Sequence, residues 1–203
     1  MKTVTAAILC IATCVSNISF AQTIDSSYSG LSAALNLNFT SMGVKASDPF
    51  GNSLGDVNAS DQNLVVQIAE GLQFGSNGVA NFGVSANLGD MKSGSIGPLQ
   101  LKATSSTALY AELGYAFDTK SMAYGKLSIN QLTATLSGGG PGVDGTLSAN
   151  GVGFGAGYRH ALSLGTYLQG ELMQVNYSDV VSAAGLVFKP TSTIAMVGIG
   201  VMF

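Results

Sequence analysis

The chain has 203 residues, of which 46% are hydrophobic and only 9% charged, with a net charge of -3. An ordinary soluble domain carries about 25% charged residues, so this chain is poorly equipped to cover itself in water. Its acidic balance excludes nucleic acid, whose phosphates demand a basic surface.

Lys2, the apolar stretch 4–15 and Ser19-Phe20-Ala21 read as a secretory signal over 1–21, cut before Gln22, leaving one domain over 22–203. Both cysteines, Cys10 and Cys14, fall in the removed part, so the mature chain has no disulfide, thiol nucleophile or cysteine metal site. A lipoprotein site at Cys14 is the lesser alternative, because Thr13 is bulkier than the small residue such a site wants. Without Lys2, seven basic residues face eleven acidic ones.

Beyond the signal no apolar run reaches the roughly 18 residues of a membrane helix; the apolar residues recur instead at every second position. Leu31, Ala33, Leu35, Leu37 and Phe39 alternate with small or polar residues, which predicts a first strand over 29–41. The polar residues 43–62, with Asp48-Pro49 and Phe50-Gly51-Asn52, read as a long loop. A second strand over 63–74 turns tightly through Gly75-Ser76-Asn77-Gly78 into a third, in which Ala80, Phe82, Val84, Ala86 and Leu88 share a face. After a loop over 89–105, strand four sets Leu109, Ala111, Leu113, Tyr115 and Phe117 opposite Tyr110, Glu112 and Gly114.

Strand five covers 122–136, where the pattern slips near Gln131 and suggests a bulge. The glycine-rich residues 137–149 form the third long loop. Strand six sets Val152, Phe154, Ala156 and Tyr158 against Gly153, Gly155, Gly157 and Arg159, and a short turn at Ser163 leads to strand seven around Leu168 and Leu172. The fourth long loop covers 178–190. Strand eight ends the chain with Thr193, Ala195, Val197, Ile199, Val201 and Phe203 on one face.

Eight strands of about 9 to 11 residues, joined by alternating long loops and short turns, describe an all-β, antiparallel, up-and-down transmembrane barrel. The barrel must close, because in hydrocarbon each unpaired backbone group costs several kcal/mol. A soluble sandwich is the rival, but its outer face would carry more charge than the Ser, Asn and Gly seen here.

The last strand, Val197 to Phe203, resembles the carboxy-terminal assembly signal of outer-membrane barrels, with Gly198, Val201 and the terminal Phe203 as its marks; Met196 stands where that signal has a polar residue. The segments 151–159, 168–172 and 175–179, with Leu113-Gly114-Tyr115-Ala116-Phe117-Asp118, look like strands of the opacity-protein and OmpA-like small barrels. The resemblance implies a bacterial outer-membrane location and dependence on outer-membrane lipid and the barrel-assembly machinery. It also implies a structural or adhesin-like role, with the loops meeting a host-surface or extracellular ligand.

Glu112, Lys126, Arg159 and Glu171 lie on four successive strands and on the lumen face. Buried charges persist only when paired, so the four are expected to form a salt-bridge network that plugs the lumen; a gate or ion path is the functional alternative, and a narrow channel the second reading of the whole chain. Glu70 shares a parity with Leu72 and Phe74, so a bulge at Gly71 is expected to turn it inward, the alternative being an interfacial position. His160, the only histidine, lies near Ser163 and Glu171, but no motif frames it, so a lipid-modifying or proteolytic barrel enzyme is the least favoured reading.

Tyr28, Tyr115, Phe117, Tyr158, Tyr167, Phe188 and Phe203 lie near strand ends and are expected to anchor the barrel at the membrane interfaces. The run 138–142 lacks the Lys-Ser/Thr ending of a phosphate loop. No cofactor is expected, and no metal site beyond weak calcium binding by Asp56 and Asp61.

Overall fold

The computed structural model describes residues 28–96, 99–138, 144–163, 165–182 and 185–203, so the signal read over 1–21 lies outside the described residues. Ten strands follow in order: β1 (Gly30–Ser47), β2 (Ser53–Phe74), β3 (Gly78–Asn87), β4 (Met91–Ile96), β5 (Leu99–Ala116), β6 (Ser121–Ser137), β7 (Gly145–Ser163), β8 (Thr166–Tyr177), β9 (Val180–Val181) and β10 (Val187–Met202). Eight of them, β1, β2, β3, β5, β6, β7, β8 and β10, form an antiparallel ring closed by β10 on β1, from Ser32↔Met202 to Ser47↔Val187. β4 prolongs β3 beyond a break at 88–90 and pairs β5; β9 adds to the outer end of β10.

Most of the wall strands are longer than the bilayer requires. β2 runs for 22 residues and β1 for 18, against about 9–11 for a tilted crossing. Most of what reads as long loops is therefore strand: within 43–62 only residues 48–52 lie between β1 and β2, and β4 with the start of β5 occupies most of 89–105. The third and fourth loops shrink in the same way, to the intervals between β6 and β7 and between β8 and β10.

The polarity of the wall inverts along its height. In the lower section the outside is apolar, with Leu35, Leu113, Leu127 and Leu172 exposed, and the inside is polar, with Asn36, Gln67, Asn81 and Gln169 buried. In the upper section Met42, Val44, Ala46, Met91, Ala103, Leu132, Leu136 and Phe188 pack together inside, while Ser41, Lys45, Asp56 and Gln131 face out. β6 passes through both regimes with unbroken alternation. The slip near Gln131 is thus the level at which apolar residues change sides, not a bulge; the register shift lies on β5, between Ala103 and Ser105.

Above this level the ring also divides. β2–β3 pairing ends at Val65↔Asn87 and β7–β8 pairing at Gly151↔Tyr177. Beyond those points hydrogen-bonded pairing leaves two sheets, one of β9, β10, β1 and β2 and one of β4, β5, β6 and β7, with β2 and β4 still side by side at one seam, and the apolar cluster fills the space they enclose. At the opposite, inner end Tyr28, Val79, Met122, Tyr124 and Ala161 form a second apolar cluster.

Glu70 lies on the outer face, opposite Leu31 and Phe82 in the register, which runs through Gly71 without a shift. The expected inward-turning bulge is absent, because ladder pairing on both sides of β2 fixes its parity. Three of the seven proposed anchor aromatics are also reassigned: Tyr28, Tyr167 and Phe188 are buried inside, since their parity matches the lumen face. Tyr115, Phe117, Tyr158 and Phe203 are exposed.

Candidate functional site in the lumen

The site is built by parity. Glu112 on β5, Lys126 on β6, Arg159 on β7 and Glu171 on β8 all fall on inward positions, and Glu112↔Lys126 are direct cross-strand partners. Lys126 Nζ sits 3.1 and 3.0 Å from the two carboxylate oxygens of Glu171 and 3.5 Å from Glu112 Oε1. An Arg159 terminal nitrogen lies 2.8 Å from Glu112 Oε2, which also accepts from Asn81 Nδ2 at 3.2 Å. Their side chains are between 0 and 6% exposed. Two acids and two bases cancel, so the layer is held by short pairings in a place where an unmatched charge would cost several kcal/mol.

Tyrosines complete the layer, and glycines make room for them. Tyr110, Tyr124 and Tyr167 stand directly opposite Gly83, Gly157 and Gly200 in the register, and each ring lies where a Cβ on its glycine would be. The rings face the cations: Lys126 Nζ is 4.1 Å from the Tyr110 centroid, and the Arg159 guanidinium is 4.6 and 5.5 Å from those of Tyr124 and Tyr167. Such contacts add attraction where water is scarce. Tyr124 also donates to Glu171 Oε2 at 3.0 Å.

From the charges an amide relay continues. Arg159 Nε donates to Gln169 Oε1 at 3.0 Å, and Gln169 Nε2 donates to Asn36 Oδ1 at 2.6 Å and Gln67 Oε1 at 3.0 Å. Gln67 then donates to Met196 Sδ at 3.6 Å. Sequence reasoning placed the four charges on the lumen face but missed Tyr124, Tyr167, Gln169 and Asn81 as their partners. The available signal was an inward-parity tyrosine facing a glycine on the next strand.

The other candidates are not assembled. His160 points outward, stacked on Tyr158 at 6.5 Å between centroids, with Nδ1 3.4 Å from Ser121 Oγ. Glu171 points inward, so the wall separates the two. Asp56 and Asp61 are five residues apart on β2 and therefore on opposite faces. Among the described residues no three of His, Cys, Asp or Glu are grouped to hold a metal ion. Gly198, Val201 and Phe203 lie on and just after β10, the strand that closes the ring on β1.

The outer turn between β1 and β2 is ordered by Asp48. Its Oδ1 accepts from the Phe50 and Asn52 amides at 2.9 and 2.8 Å and its Oδ2 from Asn52 Nδ2 at 2.8 Å. The side-chain bond from Asn52, with the backbone donors, holds this carboxyl below its ordinary pKa. Phe50 at the tip is 90% exposed.

The model of the outer membrane protein beta-barrel domain matches residues 6–203. The chain belongs to this family. No curated protein matches it. Among solved structures it is similar to the neisserial surface protein NspA, with 18% identity, a TM-score of 0.57, and 86% of this chain and 98% of that one covered. Ail, the attachment invasion locus protein of Yersinia pestis, is 12% identical with a TM-score of 0.56, covering 86% and 99%. The outer membrane protease OmpT of Escherichia coli is 8% identical with a TM-score of 0.50, covering 90% and 99%. At these identities the likeness is one of fold, and the family places the chain in the bacterial outer membrane.

Proposed function

We propose that this barrel is a closed surface-interaction protein: a wall held in lipid, whose projecting two-sheet outer section meets partners outside the cell. The observation that carries this reading is the filled interior beneath that section. An ion entering from outside would first meet the apolar cluster around Met42, Leu132 and Phe188 and then a layer in which two acids are matched by two bases. Stripping an ion of water there costs far more than thermal energy. Two cavities beside the apolar cluster measure about 30 and 50 Å³, room for a few waters each.

The names of two similar barrels, a surface protein and an attachment protein, agree with such a role. The separation of His160 from Glu171 by the barrel wall argues against a barrel enzyme built on that histidine.

Planar-bilayer recording tests the reading. We expect silence at all voltages from the wild type, together with loss of cell-surface binding when residues 48–52 and the other outer turns are replaced by minimal turns. A steady current that changes on Glu112→Gln or Arg159→Ala would replace this reading with that of a narrow channel.

A further inference from the structure

Between the inner turns and the level of Ser41, the outward side chains of the wall are nearly all apolar or small. Among the described residues only two of them, Glu70 on β2 and His160 on β7, can carry a charge near neutral pH. Neither marks the edge of the apolar belt, because Phe74 is exposed below Glu70 and Leu162 below His160. An ionisable group held against acyl chains is costly, and it persists where it meets a partner.

The register sets the two residues at one height. Pairing followed from Ser32 once around the ring returns to β1 at Met42, ten residues further out. A row of partners therefore climbs about five residues in four strand steps, half of that circuit. The row from Glu70 runs through Phe82, Ala111 and Leu127 to Phe154 on β7. Five residues back towards the inner end lies the level between Tyr158 and His160. By the same count Phe82, the β3 partner of Glu70, stands level with Gly125 on β6.

The two places also match in shape. Phe82 is 52% exposed and projects beside Glu70. Across the barrel Gly125 pairs with Ala156, and a Cβ at Gly125 would meet nothing within 4 Å. These small residues leave a notch bounded by the exposed side chains of Leu127 and Phe154 above and Tyr158 below. His160 stacks on Tyr158 with Nδ1 towards Ser121 Oγ, so Nε2 is the nitrogen left for an acceptor from outside. The acid of the adjoining turn, Asp118, accepts from the Lys120 amide at 2.7 Å. Strand order reverses when two faces meet. In two copies of the same membrane orientation, β2 of one then lies against β7 of the other, and β3 against β6.

We propose that the β2–β3 face of one copy docks on the β6–β7 face of a second copy within the membrane. Glu70 accepts a hydrogen bond from His160 Nε2, and Phe82 seats in the notch at Gly125. The contact is heterologous, so every pair still offers one face of each kind and association extends beyond two. It is independent of the partner-binding role of the outer turns and stands if that role fails.

The test uses the full chain in phosphatidylcholine vesicles, with p-benzoylphenylalanine in place of Phe82 for photo-crosslinking and mass spectrometry to locate the bond. We expect dimers and larger species, joined to residues 123–127 or 154–160 of the neighbour. Glu70→Leu added to this chain suits the lipid and should not impair folding, yet it should lower the dimer yield roughly three- to tenfold, the worth of one polar contact between membrane segments. His160→Leu should do the same, and the two together should do no more than either alone. Gly125→Leu, which keeps both polar groups, should also lower the yield by filling the notch. The proposal is overturned if no dimer forms, or if the bonds fall on β2 or β3 of the neighbour. It is equally overturned if Glu70→Leu associates as well as its parent, which would leave Glu70 to a lipid ammonium group.

Discussion

The lower and upper sections of this barrel are made from the same strands yet obey opposite rules. Below, Leu113 faces out while Glu112 is buried; above, Leu132 is buried while Gln131 faces out. The backbone does not change, as β6 alternates through both sections. What changes is the solvent. Where the surroundings are acyl chains, leaving apolar groups outside costs nothing and the interior can hold polar pairs; where the surroundings are water, the apolar residues move inside.

The largest expected effect lies in the lower interior. Lys126→Met leaves Glu112 and Glu171 buried without their shared cation and should destabilise the barrel by about 3–5 kcal/mol in urea unfolding from lipid vesicles. Replacing Glu112, Lys126, Arg159 and Glu171 together with uncharged residues of similar volume should cost much less. A quadruple variant as unstable as the single one would mean that the charges do more than neutralise each other.

The upper interior should respond as a soluble core does. Leu132→Ala removes a side chain that is 3% exposed and should cost about 2–5 kcal/mol. If its unfolding midpoint matched that of the wild type, the outer section would not be packed as a core.

Outward arginines compare the two surroundings directly. Leu113→Arg faces the acyl chains and should cost about 2–4 kcal/mol, whereas Thr135→Arg, also outward but on the upper section, should stay within about 0.5 kcal/mol. Equal costs would erase the boundary between the sections. The smallest expected effect is local. The depressed pKa of Asp48 means that its bonds to the Phe50 and Asn52 amides persist above the ordinary carboxylate range and are lost only as pH falls through the lowered value. NMR temperature coefficients of those two amides should therefore change below pH 3.8, while those of the strands stay constant.

The lower section was legible in the sequence because its period-two pattern has one solvent on each face. Leu31 to Phe39 and Thr193 to Phe203 sit on the faces their alternation implies. The upper section reads as loops because the apolar parity reverses: Val44 and Ala46 point inward from a segment whose outward residues are polar. A reversal of this kind looks like a break in periodicity when each window is read alone. The charges of the lumen were placed on their face by parity, but their aromatic partners were not. Tyr167 lies near a strand end, where an interfacial anchor is equally expected, and only its registration with Gly200 reveals the ring's place inside. The cost of a carboxylate on the outer face favours an inward bulge at Glu70, but the ladder on both sides of β2 fixes its direction.

The division of the outer section into two sheets has a consequence for how the molecule is made. One sheet, β4 through β7, comes from a continuous stretch of chain and needs only neighbour-to-neighbour hairpins. The other unites β9 and β10 with β1 and β2, so it waits for the last strand to reach the first. Contacts that distant in sequence form late. The seam between β1 and β10 therefore comes into being at the moment the barrel seals, and it marks a finished molecule.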